Sequence, residues 1–303
     1  MNGFLNLYKP TGCTSSDAVV FVRRRLPKGM AVGHGGTLDP EASGVLPVCV
    51  GSATRLFDYI IDKQKTYVAR LQLGVETDTQ DATGQVVAER PVTVGETELR
   101  AVLGRFVGEI EQVPPMYSAL KRDGRRLYQL ARRGQSVALE PRRCRVDAVE
   151  YLGREGEDLY AIRVRCGKGV YIRTLCHDIG QALGCGAHMR ALERTEAGIF
   201  RIEDALSLED VDALASEDRL GSALIPLDAP LGHLPAVRVG EHCRHAVLNG
   251  NPLRAEWLDA PAPQAGRARR AGSPSGRTQG THPADTSLSE FHLQNRQNTF
   301  LFF

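Results

Sequence analysis

Residues 32–50 read VGHGGTLDPEASGVLPVCV, a glycine-rich loop (32–44) that runs directly into a wholly apolar strand (45–50). A strand without polar alternation is buried within a sheet, and it gives the loop ahead of it a rigid base. Gly33, Gly35 and Gly36 permit tight or left-handed backbone and close approach of a ligand. Pro40 holds Asp39 extended, on a loop and outside any helix. A carboxylate beside such permissive backbone is what a nucleophile or general base needs. The competing reading is a structural Asp capping the turn after Pro40, the commoner use of Asp-Pro.

The flanking segments define the class. Residues 4–8 read as a short strand and 15–26 as a helix, with Ser15, Ser16 or Asp17 as cap and Val19, Val20, Val22 and Leu26 as its apolar stripe. A helix is expected around 53–61. Lys65–Leu73 (KTYVARLQL) and Leu159–Cys166 (LYAIRVRC) alternate with period two, which is strand periodicity. Residues 98–106 predict a helix capped by Thr97, and Pro114-Pro115 must be extended. A Gly167-Lys168-Gly169 turn precedes a helix with Leu175, Ile179 and Leu183 at spacing four. Strands and helices mix without a regular βαβ rhythm, so the class is α+β.

The chain has 303 residues, 42% hydrophobic and 24% charged, with Lys+Arg 38 against Asp+Glu 36. That is globular composition and excludes collagen-like, coiled-coil and wholly disordered chains. No apolar run reaches the roughly 18 residues of a membrane span, and MNGFLNLYKPTG lacks the features of a signal peptide. Cys13, Cys49, Cys144, Cys166, Cys176, Cys185 and Cys243 are scattered without C-x-x-C, consistent with free thiols in a reducing cytoplasm. Charge is uneven. Nine basic residues between Lys121 and Arg145 face only Asp123 and Glu140, and Arg23-Arg24-Arg25 with Lys28 forms a second knot. With Tyr117 and Tyr128 beside the larger patch, a phosphate-backbone partner fits better than a solvated helix face.

Other motifs narrow the chemistry. No G-x-x-x-x-G-K-[ST] or G-x-G-x-x-G is present, so nucleotide hydrolysis has no support. If 170–173 is extended, Tyr171 and Arg173 share a face, where a ring can stack a base and a guanidinium can pair with a carboxylate. His242 and His245 lack further ligands for a metal, and His177 reads as an interior or edge residue of its helix.

Five stretches carry a family resemblance: NLYKPTGCTSSDAV (6–19), GHGGTLDPEASGVLPVCVGSATRL (33–56), KTYVARLQLGVETDTQDATG (65–84), QVPPMYSALKRDGRRLYQLARRG (112–134) and CGKGVYIRTLCHDIGQALGCGAHMRALERTEAG (166–198). In this order they resemble the bacterial tRNA pseudouridine-55 synthases, and Gly-x-Gly-Gly-Thr-Leu-Asp-Pro is the most specific piece. The resemblance implies a mixed, largely antiparallel sheet flanked by helices. It also implies conversion of the T-loop uridine of tRNA to pseudouridine, breaking N1–C1′ and forming C5–C1′ with no redox carrier, phosphate donor or metal. By the same resemblance Asp39 is the nucleophile, attacking C1′ or C6. Arg173 pairs with it, and a nearby cation is expected to keep its pKa low. Tyr67 packs against the target base and is a candidate for proton transfer at the sugar. Tyr171 and Leu192 line the uracil pocket, and His34 fills the gap left by the extruded base. Lys121, Arg122, Arg125 and Arg126 belong to an RNA-gripping insertion at about 112–145.

The resemblance further implies a catalytic domain over 1–232 that acts on the T arm as a monomer, without an obligatory protein partner or a membrane. Residues 233–258 look like the opening of a PUA-type RNA-binding domain whose remaining strands do not follow. In 261–290, twenty of thirty residues are Pro, Gly, Ser, Thr or Ala, so 259–303 reads as a disordered tail, with a frameshift near 259–267 as its explanation. The terminal cluster 299–303 is apolar, and nothing in the sequence explains it. An RNA-guided relative is the nearest alternative, but the basic insertion suits direct tRNA grip. A binding-only protein on this scaffold would have no use for Asp39, Tyr67 and Arg173 together. A glycosidase using Asp39 and Glu41 is remote, because Pro40 lies between them and the surface is Arg-rich.

Overall fold

The first of two units, Met1–Ile225, opens with β1 (Gly3–Lys9), α1 (Ser15–Arg23) and β2 (Val32–His34), then passes through the glycine loop into β3 (Ser43–Val50). A 3-10 turn over Gly51–Leu56 leads to α2 (Phe57–Ile61), β4 (Lys65–Leu73), a hairpin of β5 (Val75–Thr77) with β6 (Val86–Glu89), and α3 (Glu96–Leu103). Next come β7 (Gly108–Gln112), a hairpin of β8 (Lys121–Arg122) with β9 (Arg125–Arg126), α4 (Leu127–Ala131), β10 (Arg142–Gly156) and β11 (Leu159–Cys166). The unit ends with α5 (Ile172–Leu183), β12 (Ala187–Ala197), β13 (Phe200–Arg201) and α6 (Leu208–Ser216). The second unit, Pro226–Phe303, holds β14 (Ala236–Arg238), α7 (Arg244–Leu248), β15 (Phe291–His292) and β16 (Thr299–Phe302). This computed structural model describes residues 1–61, 64–118, 120–122, 124–131, 134–135, 137–232, 236–249, 251, 257, 291–292 and 299–302.

Nine strands form the main sheet in the order β1-β3-β12-β4-β11-β10-β7, with β2 added to β3 and β13 to β12. Every pair is antiparallel except β3 with β12. The expected α+β class, with a mixed and largely antiparallel sheet flanked by helices, is therefore the observed one. One edge of β3 is filled by β1 along its length; the other is shared, with β2 opposite Val48–Val50 and β12 opposite Ser43 and Gly44. The glycine loop emerges where β2 gives way to β12. Among the described residues no helix is long and apolar enough to cross a membrane.

Two cores hold this arrangement. Alternation in β4 puts Tyr67, Ala69, Leu71 and Leu73 into one with Leu99 of α3 and Leu175 and Ile179 of α5. The other joins Leu5 and Leu7 of β1 and Leu46 and Val48 of β3 to Val19 and Val22 of α1 and Val211 of α6. Each such buried aliphatic side chain stabilises the fold by about 1.5–3 kcal/mol. Both helices near the loop are thus fixed from behind by apolar packing.

Several local expectations need correcting. α1 is capped by Thr14 and not by Ser15, Ser16 or Asp17: its hydroxyl accepts the Asp17 N–H at 3.0 Å, while Asp17 accepts the Thr14 N–H at 3.0 Å. Reciprocal satisfaction of two free N–H groups favours that start over Ser15. The helix ends at Arg23, short of Leu26. α3 begins at Glu96, with Thr97 inside its first turn and the Gly95 N–H donating to Glu98 at 3.0 Å. Strands β2, β5 to β10, β12 and β13 had no counterpart in the sequence reading. β10 and β12 contain register shifts, such as Met189/Ala191 and Arg194/Glu196, which break the period-two signal. Of the expected tail, most lies outside the described residues, including the supposed frameshift at 259–267. Phe291–His292 and Thr299–Phe302, however, are strands, β16 pairing with both β14 and β15. The β-branched and aromatic residues of that terminal cluster suit a strand.

Candidate active site

The loop that carries Asp39 is held at almost every peptide. The Gly35 N–H donates to Pro47 O at 2.7 Å, and Ser15 Oγ bridges the Leu38 N–H and carbonyl at 2.9 and 3.0 Å. The Ala42 N–H closes a turn on Asp39 O at 3.1 Å, and Pro40 O accepts from the Gly12 N–H at 3.0 Å. Lys9 is fully buried, and its ammonium donates to Pro40 O (3.0 Å), Pro10 O (2.7 Å) and Cys13 O (2.7 Å). Burial pulls the Lys9 pKa below its ordinary value, while the neighbouring Cys13, Glu41 and Asp39 oppose that shift. Pinning of this kind keeps a loop carboxylate in place without using the carboxylate itself. Asp39 is not a cap.

Its side chain meets Arg173 instead, Nε to Oδ2 at 3.0 Å. Arg173 lies in the first turn of α5, which begins at Ile172, so the segment 170–173 of the sequence reading is not extended throughout; Tyr171, the N-cap, is extended. Helix formation wins because Leu175 and Ile179 must reach the core. Tyr171 is clamped by Gln112, which accepts its N–H at 3.0 Å and donates to its carbonyl at 3.3 Å. The buried Arg173 guanidinium also donates to Tyr117 O at 2.7 Å and Thr79 O at 3.3 Å, and pairs with Asp81 at 3.4 Å. Asp81 is oriented by the hydroxyls of Thr79 (2.7 Å) and Thr83 (2.6 Å).

One cation thus faces two carboxylates. The expectation that it would hold the Asp39 pKa low is corrected: burial raises that pKa more than Arg173 lowers it, and Asp81 adds to the rise. Removal from water penalises the charged form, and sharing the guanidinium with Asp81 weakens the opposing pull. Asp39 nonetheless keeps 41% of its side-chain surface exposed, so the carboxylate opens to solvent while Arg173, at 6%, does not.

Tyr67 and Leu192 sit on neighbouring strands in the same core cluster as Leu38. Tyr67 is paired across the sheet with Arg194, whose side chain donates to Val45 O at 2.7 Å and Gly36 O at 3.0 Å. Burial raises the pKa of Tyr67, and the Asp39 charge adds to the rise. The same charge acts on Tyr171, whose pKa is raised chiefly by burial. Both phenols thus lie within range of the Asp39 charge. His34, on β2, is partly buried; desolvation and then Arg194 lower its pKa, and its Nδ1 has no hydrogen-bond partner among the described residues. Lys121, Arg122, Arg125 and Arg126 form the β8–β9 hairpin, closed by the Leu127 N–H on Leu120 O at 2.8 Å; their side chains lie outside the described residues. The second basic knot is largely structural. Arg25 pairs with Asp212 at 2.6 Å and stacks on Phe21, and Arg23 donates to Val32 O at 2.9 Å.

Sequence reasoning missed Asp81, Lys9 and Arg194 as parts of this site. All three lie inside stretches quoted for the resemblance, but a buried charge among polar neighbours has no period or spacing of its own.

Comparisons with known proteins point to one family. Residues 23–172 match the family model described as TruB family pseudouridylate synthase (N terminal domain), and residues 173–232 match the tRNA pseudouridylate synthase B C-terminal domain. The tRNA pseudouridine synthase B of Ralstonia nicotianae is 47% identical over 256 residues, covering 84% of this chain and 81% of the relative. That of Stutzerimonas stutzeri is 46% identical over 258 residues, covering 84% of each. A chain from the crystal structure of a Cbf5-Nop10-Gar1 complex superposes with a TM-score of 0.65 at 35% identity, covering 84% of this chain and 69% of that one.

Proposed function

Since the chain belongs to the TruB family of pseudouridylate synthases, we propose that it converts uridine-55 in the T loop of tRNA to pseudouridine, with Asp39 as nucleophile. The enzyme is an isomerase: the N1–C1′ bond breaks and a C5–C1′ bond forms, the C5 hydrogen leaves as a proton, and N1 takes up a proton in its place. Atoms and electrons balance within one nucleotide, so the reaction needs no cofactor.

The observation that carries the reading is the Asp39–Arg173 pair on a loop pinned from Gly35 to Ala42. Arg173 engages Oδ2, leaving Oδ1 to attack the extruded nucleotide. Attack needs the ionised form, and Arg173 opposes the neutralising effect of burial. Tyr67 and Tyr171 supply rings to hold the base, which offsets the few kcal/mol that extrusion costs. Leu192 lines the apolar side, and His34, neutral by virtue of its lowered pKa, fills the vacated stack.

The insertion at 112–145, with Lys121, Arg122, Arg125 and Arg126, grips the T arm. The enzyme acts in the cytoplasm as a monomer and without a guide complex. Supporting this, relatives named tRNA pseudouridine synthase B are 42–47% identical, against 35% for the chain from the Cbf5-Nop10-Gar1 complex. Mapping pseudouridine by carbodiimide-dependent reverse-transcription stops on an unmodified tRNA transcript tests the assignment. A stop at position 55 that vanishes when that uridine is replaced by cytidine supports it; modification elsewhere only, or none, refutes it.

A further inference from the structure

Gln80 holds its backbone at φ +63°, in the left-handed region that favours glycine. Among the described residues two other non-glycine residues do so, Asp158 and Asp218, and aspartate tolerates that region through its short polar side chain. Glutamine lacks that advantage. A strained backbone under a long side chain points to a contact that the side chain must keep. Here the contact is a hydrogen bond spanning 94 residues of chain: Thr174 Oγ1 donates to Gln80 Oε1 at 2.9 Å. A helical threonine can spend its hydroxyl on a carbonyl of the preceding turn; this buried one reaches across to the loop instead.

The bond joins two pieces of the site. Thr174 follows Arg173 on α5, and Gln80 precedes Asp81 on the loop from β5 to β6. Arg173 itself donates to Thr79 O at 3.3 Å and pairs with Asp81 at 3.4 Å. Two successive residues of the helix thus grip three successive residues of the loop. The backbone of β12 holds the same loop. The Met189 N–H donates to Gln80 O at 3.0 Å, and Met189 O accepts the Ala82 N–H at 3.1 Å, one bond on each side of Asp81. The hydroxyls of Thr79 and Thr83 take Oδ1 of Asp81, which leaves Oδ2 for the guanidinium.

Resting on the isomerase reading above, we propose that Gln80 and Thr174 are positioning residues: their hydrogen bond locks the Asp81 loop in register with the first turn of α5, and so fixes the Arg173 guanidinium with Nε on Asp39 and Nη1 on Asp81. Neither residue touches a reacting atom; both act through Asp81 and Arg173.

The test uses the full chain. Thr174→Val keeps the shape and removes the hydroxyl, whereas Thr174→Ser keeps the donor. In single-turnover assays at saturating tRNA, Thr174→Val slows the isomerisation about three- to tenfold, the value of one hydrogen bond, and Thr174→Ser stays within about twofold of wild type. Gln80→Gly slows it to the same degree, although glycine adopts the left-handed backbone freely, and tRNA affinity is unchanged in all three. In an Asp81→Asn background Thr174→Val costs less than about twofold, because the ion pair it serves is already gone. Unchanged rates in Thr174→Val and Gln80→Gly, equal losses with and without Asp81, or a loss confined to tRNA affinity overturns the proposal. If Thr174→Val fails to fold, Gln80→Gly carries the same cycle.

A second readout needs no activity. With arginine labelled with nitrogen-15, the Arg173 Nε signal is assigned by its loss in Arg173→Lys. Gln80→Gly removes no partner of Arg173, yet it displaces that signal in the wild-type background and not in Asp81→Asn; an unmoved signal overturns the proposal. This decides the point where Asp81→Asn is too slow to assay. Failure of the isomerase reading shows separately, as inactivity of the unmodified enzyme, while the signal still reports the link from Gln80 to Arg173.

Discussion

Replacing Arg173 by Met removes the one cation paired with both Asp39 and Asp81 among the described residues. The guanidinium stands 3.0 Å from Asp39 and 3.4 Å from Asp81, with 6% of its side chain exposed. An opposite charge at this range holds a carboxyl pKa down by about 1–3 units. The Asp39 pKa is already above its ordinary value through burial, and Asp81 pushes it further in the same direction. Losing Arg173 therefore moves it up by about another 1–3 units, and the nucleophile is neutral over more of the working pH range. Because attack requires the carboxylate, the rate rises with pH through this ionisation. The acid limb of a single-turnover pH profile should shift upward by about 1–3 units in Arg173→Met, with the rate partly recovering at high pH. A limb that stays in place while the rate falls uniformly would refute the electrostatic role of Arg173.

Three further outcomes follow from the geometry. Asp39→Asn should abolish activity yet raise the melting temperature at neutral pH. With a folded pKa above the unfolded one, ionising Asp39 opposes folding, so the gain should vanish as pH falls below the ordinary aspartate range; a lower melting temperature at pH 7 would contradict the assigned shift. Gly44→Ala should destabilise the protein by at least about 2 kcal/mol, since it combines a left-handed φ with a collision against the Arg194 backbone; a denaturation midpoint matching wild type would remove the close approach from the account. Arg125→Glu with Arg126→Glu should weaken tRNA binding broadly and flatten its salt dependence by about 0.9 per lost phosphate contact; an unchanged slope would take the β8–β9 hairpin out of the interface.

What could be read from the sequence was whatever repeats over a few neighbours. KTYVARLQL gave its strand to the residue, because one face is core and the other is not. Asp39 was placed on a loop, because Pro40 and three glycines act locally. The capping of α1 went astray by one position, since Thr14, Ser15 and Ser16 are all competent caps and only Asp17, three residues after Thr14, decides among them. β12 was missed for a different reason: its register shifts disrupt alternation, and it carries the buried Arg194 in a polar-looking run. The Asp81–Arg173 pair joins residues far apart in sequence, and so does the Lys9–Pro40 contact. Contacts of that kind follow from sheet order, which no local pattern encodes. The direction of the Asp39 shift was likewise misjudged, because it depends on how burial and a second carboxylate weigh against one cation.

The central claim is that Asp39 performs the isomerisation, and the most direct measurement is tritium release from tRNA labelled at uracil C5. Forming the C5–C1′ bond expels that hydrogen, so release reports the chemistry itself. Release by the wild-type chain that disappears in Asp39→Asn, with tRNA binding retained, is the predicted result. Undiminished release from Asp39→Asn, or tRNA binding by the wild-type chain without any release, would contradict it.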